Sequence, residues 1–113
     1  MIEESQIELF KLQAEICKTM ADVKRLLIIH ILREGEMSVG QLVSRLDLPQ
    51  ANVSQHLALL RERGIVHARR EGTSIFYSLS SPKIAKACDM VREVLVDQLS
   101  QNQALVDSLG QRK

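Results

Sequence analysis

Cysteine is scarce: Cys17 and Cys88 are the two in 113 residues, far apart and without a Cys-x-x-Cys spacing. Such a chain has no disulfide framework, and reduced thiols fit it better. Long apolar runs are missing as well; none approaches the ~18 residues that span a bilayer, so no membrane contact is expected. The opening Met1-Ile2-Glu3-Glu4-Ser5 is acidic and lacks the basic-then-apolar profile of a secretory signal. The cytoplasm is therefore the expected location. The three histidines, His30, His56 and His67, share no metal-ligand spacing. The sequence has no glycine-rich phosphate loop, no nucleophile elbow and no paired-carboxylate constellation. Enzyme chemistry, a cofactor and a metal centre find no support.

What is present is an ordinary globular composition, 45% apolar and 26% charged. Residues 1–113 read as one domain with a single modest core, without repeats, low-complexity segments or an interior linker. A net charge of +1 says little, but its distribution says more. Residues 1–20 set Glu3, Glu4, Glu8 and Glu15 against Lys11 and Lys18, a net −2. Residues 61–72 set Arg61, Arg63, Arg69 and Arg70 against Glu62 and Glu71, a net +2. Positive charge concentrated in one segment is what phosphate contacts require.

The segment 48–64 carries the most information. Val53, Leu57 and Leu60 recur at helical spacing and form an apolar face. The outward positions Gln50, Ala51, Ser54, Gln55 and Ala58 are small or carry amide and hydroxyl groups. A helix that needs only solubility usually shows Lys and Glu there, in i,i+4 pairs. Short uncharged polar groups suit a surface that must approach base edges closely. Gly64 ends this helix. Two strand-like runs follow, 65–70 and 74–79, joined through Arg70-Glu71-Gly72-Thr73.

Upstream, the pattern predicts a first helix over about 4–20 with two adjacent apolar stripes. One holds Ile7, Phe10, Ala14 and Cys17, the other Leu9, Leu12, Ile16 and Met20. Asp22 is placed to cap a second helix, which is apolar nearly all round from Leu26 to Leu32 and so reads as central. Ser38 and Gln41 have the spacing of a capping box opening a short third helix that ends near Asp47. A tight turn through Leu48-Pro49 then makes residues 38–63 a helix-turn-helix pair. Ser81-Pro82 starts a last helix over 81–109, with Ile84, Cys88, Val91, Leu95 and Leu99 on its stripe. The expected fold is mainly α with a small β-hairpin wing at 65–79, a winged helix-turn-helix. The terminal helices, 1–20 and 81–109, are expected to meet those of a second copy in a homodimer.

This order of elements resembles the ArsR/SmtB family of dimeric repressors over nearly the whole chain. The resemblance rests on Met20-Ala21-Asp22-Val23-Lys24-Arg25-Leu26, Ser38-Val39-Gly40-Gln41-Leu42 and Val53-Ser54-Gln55-His56-Leu57 with Leu60-Arg61. It continues through Gly64-Ile65-Val66 and Arg69-Arg70-Glu71-Gly72 to Phe76-Tyr77-Ser78-Leu79. Val23 stands where the family usually has proline. The resemblance implies an operator-binding repressor that releases double-stranded DNA when an inducer, often a metal or an oxidant, binds. The sensing residues do not carry over. Gln41-Leu42-Val43-Ser44 lacks the thiolates of the third-helix metal site. Asp89-Met90-Val91 and the last helix lack the histidines of the zinc site. His30 and Val96 stand about where two-cysteine sensors place their thiols. The inducer is left unidentified.

Gln50, Ser54 and Gln55 are the expected base-edge readers, with Asn52 and His56 as backbone contacts and Arg69 and Arg70 anchoring the wing. For His56, a phosphate contact and a structural hydrogen bond are equally open. His30 is expected in the core and His67 in solvent. Cys17 and Cys88 are candidates for a thiol sensor. Both lie on apolar stripes, where cysteine mostly packs as a small hydrophobe, and neither adjoins a basic cluster. Packing is the favoured role. The alternative to DNA binding is a protein–protein module using the same surface. It would show larger apolar or aromatic groups on that helix, which the small polar face lacks.

Overall fold

The computed structural model describes residues 1–110. Five helices and three strands follow in the order α1 (Glu4–Met20), α2 (Val23–Leu32), β1 (Met37–Ser38), α3 (Val39–Leu46), α4 (Gln50–Glu62), β2 (Val66–Glu71), β3 (Ser74–Leu79) and α5 (Pro82–Gly110). Residues 111–113, included in the single-domain reading of the sequence, lie outside the described residues. No described helix is long and apolar enough to cross a membrane.

Local chemistry sets the element boundaries. Asp22 Oδ2 accepts from the backbone N–H groups of Lys24 (3.0 Å) and Arg25 (3.1 Å), satisfying donors that the first turn of α2 cannot pair. Ser38 and Gln41 form the reciprocal box. The Gln41 N–H donates to Ser38 Oγ at 3.1 Å and the Ser38 N–H to Gln41 Oε1 at 2.8 Å. Asp47, at φ 55°, reverses the chain after α3. Aspartate tolerates that left-handed conformation better than bulkier residues.

β2 and β3 pair antiparallel from Val66↔Leu79 to Glu71↔Ser74, leaving Gly72-Thr73 as a two-residue turn. Gly72 sits at φ 64° and Thr73 does not share the positive φ. The turn is therefore of the II′ kind, which follows the right-handed twist of the strands. The first strand begins one residue later than the 65–70 expected. A third strand, β1, was not foreseen; it pairs Met37↔Tyr77 and Ser38↔Phe76 on the outer edge of β3. Two residues carry no readable period, so this edge pairing has no local signal.

The core gathers Ile28, Ile29, Ile31 and Leu32 of α2, Leu42 of α3, Val53, Leu57 and Leu60 of α4, with Ile65 and Val66. The second helix is central on one side only. Leu26, Leu27 and His30 lie off the buried row, and all three are exposed. His30 is thus not a core histidine. Its Nδ1 lies 3.4 Å from Nη1 of Arg33, whose guanidinium also grips the Asp89 carboxylate.

α1 buries no side chain; Phe10 is 59% exposed. α5 touches the core through Ile84, Ala85 and Cys88 and then runs outward, exposing Val91, Val94, Leu95 and Leu99. The radius of gyration is 18.3 Å, against about 13 Å for a compact chain of this length. The excess comes from terminal helices that leave the core with their apolar residues uncovered.

Candidate nucleic-acid interface

α4 is fixed to the core by Val53, Leu57 and Leu60, all fully buried. Helical geometry then decides where the other residues face. Gln50, Ala51, Ser54, Gln55 and Ala58 are exposed, as a reading surface requires, while Asn52 and His56 are half-buried on the flank. The outward row is short and uncharged, so a partner can come close without displacing long side chains.

The wing separates its two arginines. In β2, Arg69 and Arg70 point to opposite faces of the sheet. Arg69 is committed within the chain. Its Nε and Nη2 each donate to a Glu36 carboxylate oxygen at 2.7 Å, its Nη1 lies 3.5 Å from Glu71, and its guanidinium stacks over the Phe76 ring at 4.9 Å. The hydrogen bonds from Arg69 hold the Glu36 carboxyl below the usual range. Arg70 is exposed and has no ion-pair partner among the described residues. Two adjacent arginines thus read alike in sequence and differ in place. One ties the wing to the segment before β1, and the other is open to an anion.

A second set of polar contacts joins α4 to the terminal part of α1. Arg25 Nε donates to the Thr19 carbonyl at 2.5 Å, and its Nη1 lies 3.3 Å from His56 Nδ1. Arg63, at the end of α4, pairs with Glu15 at 2.9 Å. Asp22 beside this network is held below the ordinary carboxyl range, chiefly by the Arg25 backbone N–H. Arg25, noted in the sequence only as part of the family resemblance, and Glu36 were absent from the expected site residues. A contact spanning 31 or 33 positions leaves no periodic trace.

The two candidate sensing thiols, Cys17 and Cys88, lie near enough for their charges to interact. Cys17 is exposed on α1, and Cys88 is half-buried on α5 with its thiol pushed up by burial, the opposite of activation. Asp89 is engaged by Arg33 and Arg92, and the hydrogen bond from Arg92 is the main cause of its lowered carboxyl. Among the described residues no group of His, Cys, Asp and Glu is arranged to hold a metal ion. His67 is exposed, as expected.

Comparison with known proteins places these features in a family. The profile described as "Bacterial regulatory protein, arsR family" matches residues 22–68, from the cap of α2 into β2. An HTH-type transcriptional regulator of Mycobacterium tuberculosis, Rv0081, is 41% identical over 102 residues, covering 89% of this chain and 90% of its own length. The transcriptional activator HlyU of Vibrio cholerae is 42% identical over 79 residues, 70% of this chain and 73% of its own length. Among solved structures, the transcriptional repressor BigR of Xylella fastidiosa superposes with a TM-score of 0.72 at 35% identity, covering 83% of this chain and 96% of that one. The homodimeric winged helix-turn-helix fragment of Mb0332 from Mycobacterium bovis gives 0.78 at 27% identity, over 88% and 93% of the two chains. The fold is therefore the winged helix-turn-helix expected.

The Glu36–Arg69 tether has a defined pH window. A carboxyl lowered in the folded chain contributes stability above its ordinary range and loses it as pH falls through the lowered folded value. The tether should accordingly outlast protonation of ordinary glutamates on acidification. An NMR titration of the Glu36 carboxyl carbon should show a midpoint below that of an unpaired Glu, moved back to the ordinary value by Arg69→Ala. An ordinary midpoint in the unaltered chain contradicts the tether.

Proposed function

This chain belongs to the arsR family of bacterial regulatory proteins, and from that premise we propose that it is a homodimeric repressor of a palindromic operator. The carrying observation is the outward row of α4, which is exposed, short, polar and uncharged beside a wing with an open arginine. Gln50, Ser54 and Gln55 are assigned to base edges. Asn52 and His56 are assigned to the sugar–phosphate backbone, with Arg70 as the wing's phosphate contact. Arg69, expected from sequence to anchor the wing on DNA, is assigned to holding the wing's position through Glu36, which then aims Arg70.

The dimer is assigned to α1 and α5. Their exposed apolar faces would lose a large cost of hydration against a second copy, and the homodimeric Mb0332 fragment supports this reading. Two recognition helices about 34 Å apart then call for half-sites one helical turn apart. Cys17 and Cys88 are assigned to packing on these helices. The likeness to the repressor BigR supports repression, and HlyU, named an activator, supplies the opposite outcome. Transcription in vitro from a promoter overlapping the selected operator should fall as protein is added. A rise would make this chain an activator.

Gln55→Ala should cost about 1–3 kcal/mol on a duplex selected from a random pool, the worth of a bidentate base contact, and change affinity for a scrambled duplex little. Equal losses on both would remove Gln55 from the readers. Arg70→Ala should weaken both duplexes and reduce the salt slope by about one, the counterion released at one phosphate. An unchanged slope takes the wing off the DNA. Leu95→Glu, which puts an unpaired carboxylate into the apolar face of α5, should give monomer in analytical ultracentrifugation with loss of operator binding. A normal dimer would place the interface elsewhere.

A further inference from the structure

The side chains of α4 divide three ways: Val53, Leu57 and Leu60 enter the core, Ser54, Gln55 and Ala58 face outward, and His56 lies between, half-buried. Nη1 of Arg25 is 3.3 Å from His56 Nδ1. Arg25 is itself held from two further sides. Its Nε donates to the Thr19 carbonyl, and its backbone N–H donates to Asp22 Oδ2. A guanidinium offers donors only and stays protonated in proteins. The contact with His56 is a hydrogen bond only when Nδ1 accepts, and that puts the ring proton on Nε2. A doubly protonated ring would carry donors on both nitrogens and leave the Arg25 contact without an acceptor. Among the described residues nothing else bonds the ring, so Nε2–H is an uncommitted donor directed away from Arg25.

We propose that Arg25 is a positioning residue for DNA recognition: it fixes His56 as the Nε2–H tautomer and directs that N–H to a phosphate oxygen of the duplex, without touching DNA itself. The proposal rests on the assignment of α4 as the reading helix and adds to it a residue on another helix. It also gives His56 a distinct thermodynamic signature. A neutral donor contributes a charge-assisted hydrogen bond to phosphate but displaces no counterion, unlike an arginine or lysine at the same place. Because Arg25 also holds the Thr19 carbonyl, the donor's aim is referred to the last turn of α1.

Two measurements on the full chain test this. In 15N-labelled protein without DNA, a long-range 1H–15N correlation spectrum at neutral pH should show His56 with a protonated Nε2 and a bare Nδ1. Arg25→Ala should release the ring to a mixture of tautomers. A protonated Nδ1 in the unaltered protein, as the other tautomer or as imidazolium, overturns the proposal.

On a duplex selected from a random pool by the wild-type protein, His56→Ala should lower affinity about tenfold with the salt slope unchanged. His56→Gln should retain most of the affinity, because its amide N–H can stand where Nε2–H stood. Arg25→Ala should likewise weaken binding at constant slope. A slope reduced by about one for either alanine variant means a direct charge contact and overturns the proposal. If the tautomer is as stated but Gln55→Ala does not separate selected from scrambled duplex, the reading-helix assignment falls and takes the proposal with it. A reading α4 with the other tautomer overturns the proposal alone.

Discussion

The seventeen-residue α1 buries none of its side chains within its own chain, and both the proposed dimer and the placing of α4 depend on that. Leu9, Phe10 and Leu12 on this helix and Val91, Leu95 and Leu99 on α5 all remain uncovered. Fully covering a side chain of this size is worth about 1.5–3 kcal/mol, so the two helices have a large free-energy reason to meet further apolar surface. The first helix is not an independent arm. It packs mainly on α2 and α4, and its contacts with α4 include an ion pair and an arginine bridge. A partner bound along α1 therefore acts on α4, the element that carries the proposed reading row.

The core serves this arrangement by holding α4 through one face only. Val53, Leu57 and Leu60 pack among α2, α3 and the start of β2, and leave the opposite face with no structural duty. That freedom allows small uncharged polar residues there, which would be poor choices for a helix stabilised by surface ion pairs. The wing follows a similar division. Phe76 and Glu36 take up Arg69, so the sheet is braced against the segment before β1 while Arg70 projects from the other face.

How much of this was legible in the sequence depended on the range of the interaction. Helix α1, the Asp22 cap, the Ser38–Gln41 box and the apolar row of α4 are written in neighbours three or four positions apart, and each stands where the pattern puts it. The same local reading failed at His30. Apolar neighbours on every side suggested burial, but only the face of α2 holding Ile28, Ile29, Ile31 and Leu32 meets the core. It failed again at β1, whose two residues become a strand only because Phe76 and Tyr77 come alongside. Arg69 and Arg70 were indistinguishable as a pair, since Glu36 is brought near by the fold. The contact of Arg25 with His56 was unreadable for the same reason. Periodicity orders the backbone, whereas the site's polar contacts belong to the tertiary structure.

If two copies joined through α1 and α5 present two α4 helices to one face of a duplex, hydroxyl-radical footprinting on a selected operator should show it. Two protected patches of equal strength, centred about one helical turn apart on the same face, should appear together as protein is titrated. A single patch, or two that fill independently at different protein concentrations, would contradict it.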